Sequence, residues 1–82
     1  MPRRLKRLGA REVLQALKTF GFETVSTRGS HAKLKRKKPG GGEEILTVPL
    51  HKELAAGTLR AIYRQSLRFV PEKDLRPLFF GE

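Results

Sequence analysis

The chain has 82 residues, no cysteine, and 18 Lys plus Arg against 8 Asp plus Glu, a formal net charge of +10. A chain of this length makes one small domain, residues 1–82, with a thin core. The lack of cysteine excludes a disulfide framework and a thiolate metal site. Such a charge attracts polyanions and repels basic partners, so nucleic acid or an acidic protein is expected ahead of a membrane surface.

Residues 1–8 form a basic lead-in that holds Leu5 and Leu8. It runs into no apolar stretch of the secretory kind, and no apolar run approaches the roughly 20 residues of a membrane span. The expectation is a soluble, cytoplasmic protein with its core over about residues 9–68 and a tail over 69–82.

GAREVLQALKTFGF reads as a helix. Val13, Leu14, Leu17 and Phe20 make one apolar stripe, while Arg11, Glu12, Gln15 and Lys18 fill the other face. Gly9 suits the N-cap, and Gly21 stands where a helix stops. ETVST then reads as a short strand rich in β-branched residues. Phe22 and Val25 have opposite parity, so Phe22 packs at the turn or a bulge lies between them. Arg28-Gly29 marks a two-residue turn.

SHAKLKRK is a second strand with clear alternation. Ala32 and Leu34 share one face; His31, Lys33, Lys35 and Lys37 share the other. KPGGG is a hairpin loop and no P-loop, because no Gly-Lys-Ser/Thr follows it. EEILTVPL is a third strand, with Leu46 and Val48 on one face and Ile45 and Thr47 on the other. Pro49 ends it or lies on an edge. HKELAAG connects to a second helix, TLRAIYRQSLRF, whose buried stripe is Leu59, Ile62, Tyr63 and Leu67. Arg60, Arg64 and Arg68 recur on another face. VPEKDLRPLFFGE opens like a short helix with Pro71 in its first turn, and Pro77 limits its length.

The sum is an α+β chain of order α–β–β–β–α. Its economical arrangement is a three-stranded antiparallel sheet with both helices on one face. The other face, with His31 and its lysines, is then open. From the residues alone His31 is either a solvated strand residue or the titratable group of a nucleic-acid-cleaving site. The run Lys33, Lys35, Arg36, Lys37 and Lys38 is the best footprint for a phosphate backbone. Gly57 and Thr58 open the second helix, whose amides suit a phosphate or simply cap the helix. No spacing of His, Asp and Glu suggests a metal site, and no cofactor is expected.

An early helix ending in GF, then RGSH, then TVP followed by His51, then GTLRAIYRQ, resembles the HicA family of toxins, the RNA-cleaving halves of toxin–antitoxin pairs. The likeness runs from about Gly9 to Leu67. It implies a fold like that of double-stranded-RNA-binding domains. It further implies ribosome-independent cleavage of mRNA that arrests translation, and an HicB-type antitoxin that covers the active face; with a histidine for proton transfer and lysines for charge, that cleavage is expected to be metal-independent. The histidine of the GSH motif, His31, is then catalytic, with Gly29 and Ser30 completing the motif. Many members have a second histidine directly after it, where this chain has Ala32. His51 corresponds to the family's histidine after TVP; it is a second proton donor, a phosphate contact or a residue that closes the strand-to-helix loop, and the substrate-positioning and structural readings lead. The RNA-binding set is Gly29, Ser30, Lys33, Lys35, Lys37, His51, Gly57 and Thr58. The competing readings are a non-catalytic RNA-binding module and a ribosome-associated basic protein; neither explains GSH set together with TVPLH and GTLR.

Overall fold

Alternation in two strands decides the architecture. It puts Ala32, Leu34, Leu46 and Val48 on one side of a sheet, and all four are buried. The structure, a computed structural model that describes residues 4–81, runs β1 (Arg4–Leu5), α1 (Ala10–Lys18), β2 (Glu23–Arg28), β3 (His31–Lys37), β4 (Glu43–Pro49), α2 (Ala56–Ser66), α3 (Glu72–Phe79) and β5 (Phe80–Gly81). The first three residues of the basic lead-in and the last residue of the tail lie outside the described residues. The α–β–β–β–α order is present, and the strands form an antiparallel sheet in the order β2-β3-β4.

Helices α1 and α2 lie on the face that carries the four buried strand residues. Val13 and Leu17 of α1 and Leu59, Ile62 and Tyr63 of α2 join them in one core with Phe22, Leu75 and Phe79. Glu12 Oε1 accepts the Gly9 amide at 2.8 Å, which caps the start of α1. At its end the Gly21 and Phe22 amides return to the Lys18 and Leu17 carbonyls, the six-to-one closure of a Schellman motif. Gly9 is required for a different reason. A Cβ there would meet the Lys52 carbonyl oxygen at 1.9 Å, because the loop after β4 crosses directly over it. That loop is fixed by two bonds, Ala10 N to the His51 carbonyl and Leu54 N to the Leu8 carbonyl.

The opposite parities of Phe22 and Val25 have both of the proposed solutions. Phe22 packs at the turn, 1% exposed, and the β2–β3 register shifts between Thr24 and Ser26. Val25 is the extra residue and is left 52% exposed. The turn between β2 and β3 is Gly29-Ser30 rather than Arg28-Gly29, since Arg28 pairs with His31. Gly29 has φ +57 while Ser30 does not have positive φ, the signs of a type II′ hairpin turn. Helix α2 starts two residues before Thr58 and stops at Ser66, short of Phe69. Leu67 and Phe69 still pack on the core.

The tail packs on the body. Helix α3 passes through Pro77 to Phe79, which is fully buried, and β5 pairs with β1 in a separate two-stranded ribbon. Tyr63 donates its hydroxyl to Glu72 Oε2 at 3.0 Å and contacts the rings of Phe79 and Phe80. No helix among the described residues is long and apolar enough to cross a membrane.

Candidate active site

The open face is built by register. Arg28 of β2 and Pro49 of β4 flank His31, and Ser26 and Thr47 flank Lys33. Glu23 and Ile45 flank Lys35, and Glu43 lies opposite Lys37. His31 is exposed at the first position of β3, directly after the turn that Gly29 closes. It lines a cleft of about 510 Å³ with Ser26, Arg28, Lys33 and Thr47. Among the described residues no carboxylate lines that cleft, so its field comes from two cations beside one imidazole.

Distance along the strand sorts the lysines. Strands rise about 3.3 Å per residue, so Lys33 stands about 7 Å along β3 from His31, Lys35 about 13 Å and Lys37 about 20 Å. Lys33 alone of the three lines the His31 cleft. Lys35 is paired with Glu43 at 3.2 Å and lies opposite Glu23, which moderates its charge. The positive end of the face is the His31 end.

Arg36 does not belong to this footprint. It has the parity of Ala32 and Leu34 and points to the helix side. Its Nε donates to Glu44 Oε1 at 2.7 Å, one terminal nitrogen donates to the Phe20 carbonyl at 2.9 Å, and the other to the Phe69 carbonyl at 2.8 Å. Its guanidinium lies 4.7 Å from the Phe22 ring centroid. Arg36 is the brace that joins β4 to the ends of both long helices.

Arg28 is the residue that sequence reasoning missed. Its signal was the turn position: once Gly29-Ser30 closes the hairpin, Arg28 must lie across from His31. The two histidines are not brought into one cleft. His51 is exposed in the loop after β4 and lines a larger groove, about 780 Å³, between α1 and β2 with Arg11, Lys18, Glu23 and Lys52. Its backbone carbonyl holds the start of α1. Gly57 and Thr58 lie in the first turn of α2, whose N-cap, Ala55, supplies no side-chain cap. The described residues contain no group of three or more His, Asp and Glu placed to hold a metal ion.

The family model for HicA toxins of bacterial toxin–antitoxin systems matches residues 10–66, more than half of the chain. This chain belongs to the HicA toxin family. No curated protein and no solved structure gave a significant match. The matched span of this HicA toxin covers the His31 hairpin, β4 and α2, and leaves out the β1–β5 ribbon and α3.

Proposed function

We propose that this HicA toxin is an endoribonuclease that cuts mRNA without the ribosome, and that His31 carries the proton transfer. The observation that supports this reading is the cleft itself: an exposed imidazole at a two-residue hairpin turn, with Arg28 across the strand pair, Lys33 on the same face, and no carboxylate among the described residues of the lining.

RNA brings its own nucleophile. The 2′-oxygen bonds to phosphorus, the bond from phosphorus to the 5′-oxygen breaks, a base takes the 2′-hydroxyl proton, and the leaving 5′-oxygen takes a proton. The products are a 2′,3′-cyclic phosphate and a 5′-hydroxyl, so the step is a transesterification and consumes no water. Histidine titrates near neutral pH, which suits either proton transfer, and a positioned acid or base contributes about 10²–10⁴-fold. His31 serves as that base or acid. Arg28 and Lys33 stabilise the charge on the phosphorane, a role worth about 10²–10³-fold per donor in comparable sites. Arg28 suits it best, since a guanidinium donates two parallel bonds to phosphate oxygens.

Gly29 and Ser30 hold the turn that presents His31. Lys35 and Lys37 stand too far along β3 to touch the reacting phosphorus and instead hold flanking phosphates. Gly57 and Thr58 offer amides to the same backbone, and His51 positions the strand or its loop. An acidic HicB-type antitoxin covers the open face. Two exposed large apolar residues support that cover, Val25 at 52% and Ile45 at 41% exposure, since both lie at the open sheet and would be buried by a partner.

The test is the chemistry of the ends. RNA cut by the purified protein in EDTA is expected to carry 2′,3′-cyclic phosphate and 5′-hydroxyl ends. Ends with 5′-phosphate, or cleavage only with Mg²⁺, would overturn the proposal. RNA binding with no cleavage would favour a plain RNA-binding module.

A further inference from the structure

The family match stops at residues 10–66, and the segments outside it build something of their own. Arg4 pairs with Gly81 and Leu5 with Phe80. The Lys6 amide donates to the Phe79 carbonyl at 2.8 Å, and Lys6 Nζ donates to the Pro77 carbonyl at 2.9 Å. These bonds tie the basic lead-in to the tail and hold it beside the start of α2. Between them is a cleft of about 670 Å³ lined by Arg4, Lys6, Arg7, Arg60, Glu53 and Phe80, among others. Among the described residues, its lining holds four basic side chains and one carboxylate. Arg4, Arg7 and Arg60 are exposed, and among the described residues none of them is in an ion pair. Cations gathered in a concavity repel one another, and a polyanion relieves that repulsion.

The position of the cleft says which polyanion. Strand β4 ends at Pro49, directly opposite His31, and Leu54, five residues on, lines the cleft. Five residues of chain span at most about 18 Å. The cleft is lined by Leu59 and Arg60 of α2, on the helix side of the sheet, so a strand seated at His31 passes round the end of β4 to reach it, a path that fits the roughly 4–16 nucleotides that single-strand binding sites cover. Arg76 already lies 4.9 Å over the Phe80 ring, so phosphate contact rather than base stacking is the interaction on offer.

We propose that the Arg4, Arg7 and Arg60 cleft is a second RNA-backbone site, built by the ends of this chain, which holds phosphates of a strand whose scissile bond lies at His31. The identity of the polyanion rests on the reading of His31 as the cutting group; the cationic cleft does not. The experiment therefore measures binding alone, on His31→Ala protein in EDTA, with a single-stranded RNA of about 16 nucleotides. It compares that protein with one also carrying Arg4→Gln, Arg7→Gln and Arg60→Gln.

Single-stranded RNA gives a salt slope of about −0.7 per phosphate contact, so three lost contacts make the slope shallower by about 2. Affinities that converge near 1 M salt then differ about a hundredfold at 0.1 M. A charge-matched control at exposed residues outside these clefts, Arg64→Gln, Arg68→Gln and Lys73→Gln, is expected to change the slope much less. An equal change in the control, or an unchanged slope in the cleft variant with native circular dichroism, overturns the proposal. So does a cleft variant that keeps RNA but loses poly-glutamate, which would assign the cleft to an acidic protein. If the wild type fails to cleave RNA while the cleft variant still loses slope, the ribonuclease reading falls and the second site stands.

Discussion

Arg36 sits between Lys35 and Lys37 in a basic run, yet the structure gives it a different job from either. Replacing it with Ala removes a guanidinium that donates to Glu44 and to the Phe20 and Phe69 carbonyls. Glu44 is 9% exposed as a residue, so the substitution leaves a nearly buried carboxylate without its counter-ion. Hydrogen bonds to charged groups are worth about 1.5–3 kcal/mol each, and removing one partner of a buried pair costs about 3–5 kcal/mol. The Arg36 side chain keeps 25% of its exposure, so water relieves part of this, and about 2–4 kcal/mol is expected. That is a large share of the stability of a chain this size, about 4–12 kcal/mol. Denaturant unfolding of wild type, Arg36→Ala, Glu44→Gln and the double variant measures it. The double variant is expected to be less destabilised than the sum of the singles, because the unpaired carboxylate is gone. Lys33→Ala, three residues away, is expected to stay within about 0.5 kcal/mol of wild type. A loss below 1 kcal/mol for Arg36→Ala, or strict additivity in the cycle, would refute the brace.

Three further outcomes are expected. Gly9→Ala places a methyl group against the Lys52 carbonyl, 1.9 Å from the ideal Cβ, and should lower stability by about 1–3 kcal/mol by thermal unfolding; an unchanged midpoint would mean that the loop yields freely. Burial, reinforced by the hydrogen bond and charge of Glu72, raises the Tyr63 hydroxyl above its ordinary value. Because the folded state holds that proton more tightly, its contribution is complete below about pH 10 and is lost as pH rises through the folded value. Tyr63→Phe should therefore flatten the alkaline fall in stability, and equal slopes in both proteins would argue against it. Arg28→Gln should reduce single-turnover RNA cleavage about 10²–10³-fold with stability nearly unchanged, and full activity would remove Arg28 from the phosphorane.

The regular strands were legible because period-2 alternation leaves little choice: Ala32 and Leu34, or Leu46 and Val48, must share a face. The same parity was available for Arg36, and its inward position follows from it; a basic run draws attention to charge rather than to facing. Arg28 became visible only when the turn moved one residue on, from Arg28-Gly29 to Gly29-Ser30, because register and not local sequence sets who lies across from His31. The β1–β5 ribbon has two residues per strand, too short to carry any period. That His31 and His51 line separate clefts depends on where the loop after β4 crosses α1. The tertiary contact of Gly9 with Lys52 sets that crossing, and no local pattern encodes it.

The most direct test of the account compares wild type with His31→Ala in a single-turnover RNA cleavage assay in EDTA. Circular dichroism and RNA affinity are measured on the same preparations. The account predicts cleavage by the wild type and loss of at least about 10²-fold in the variant, with fold and RNA binding retained. Equal cleavage by both proteins would contradict it and assign the chemistry to another group.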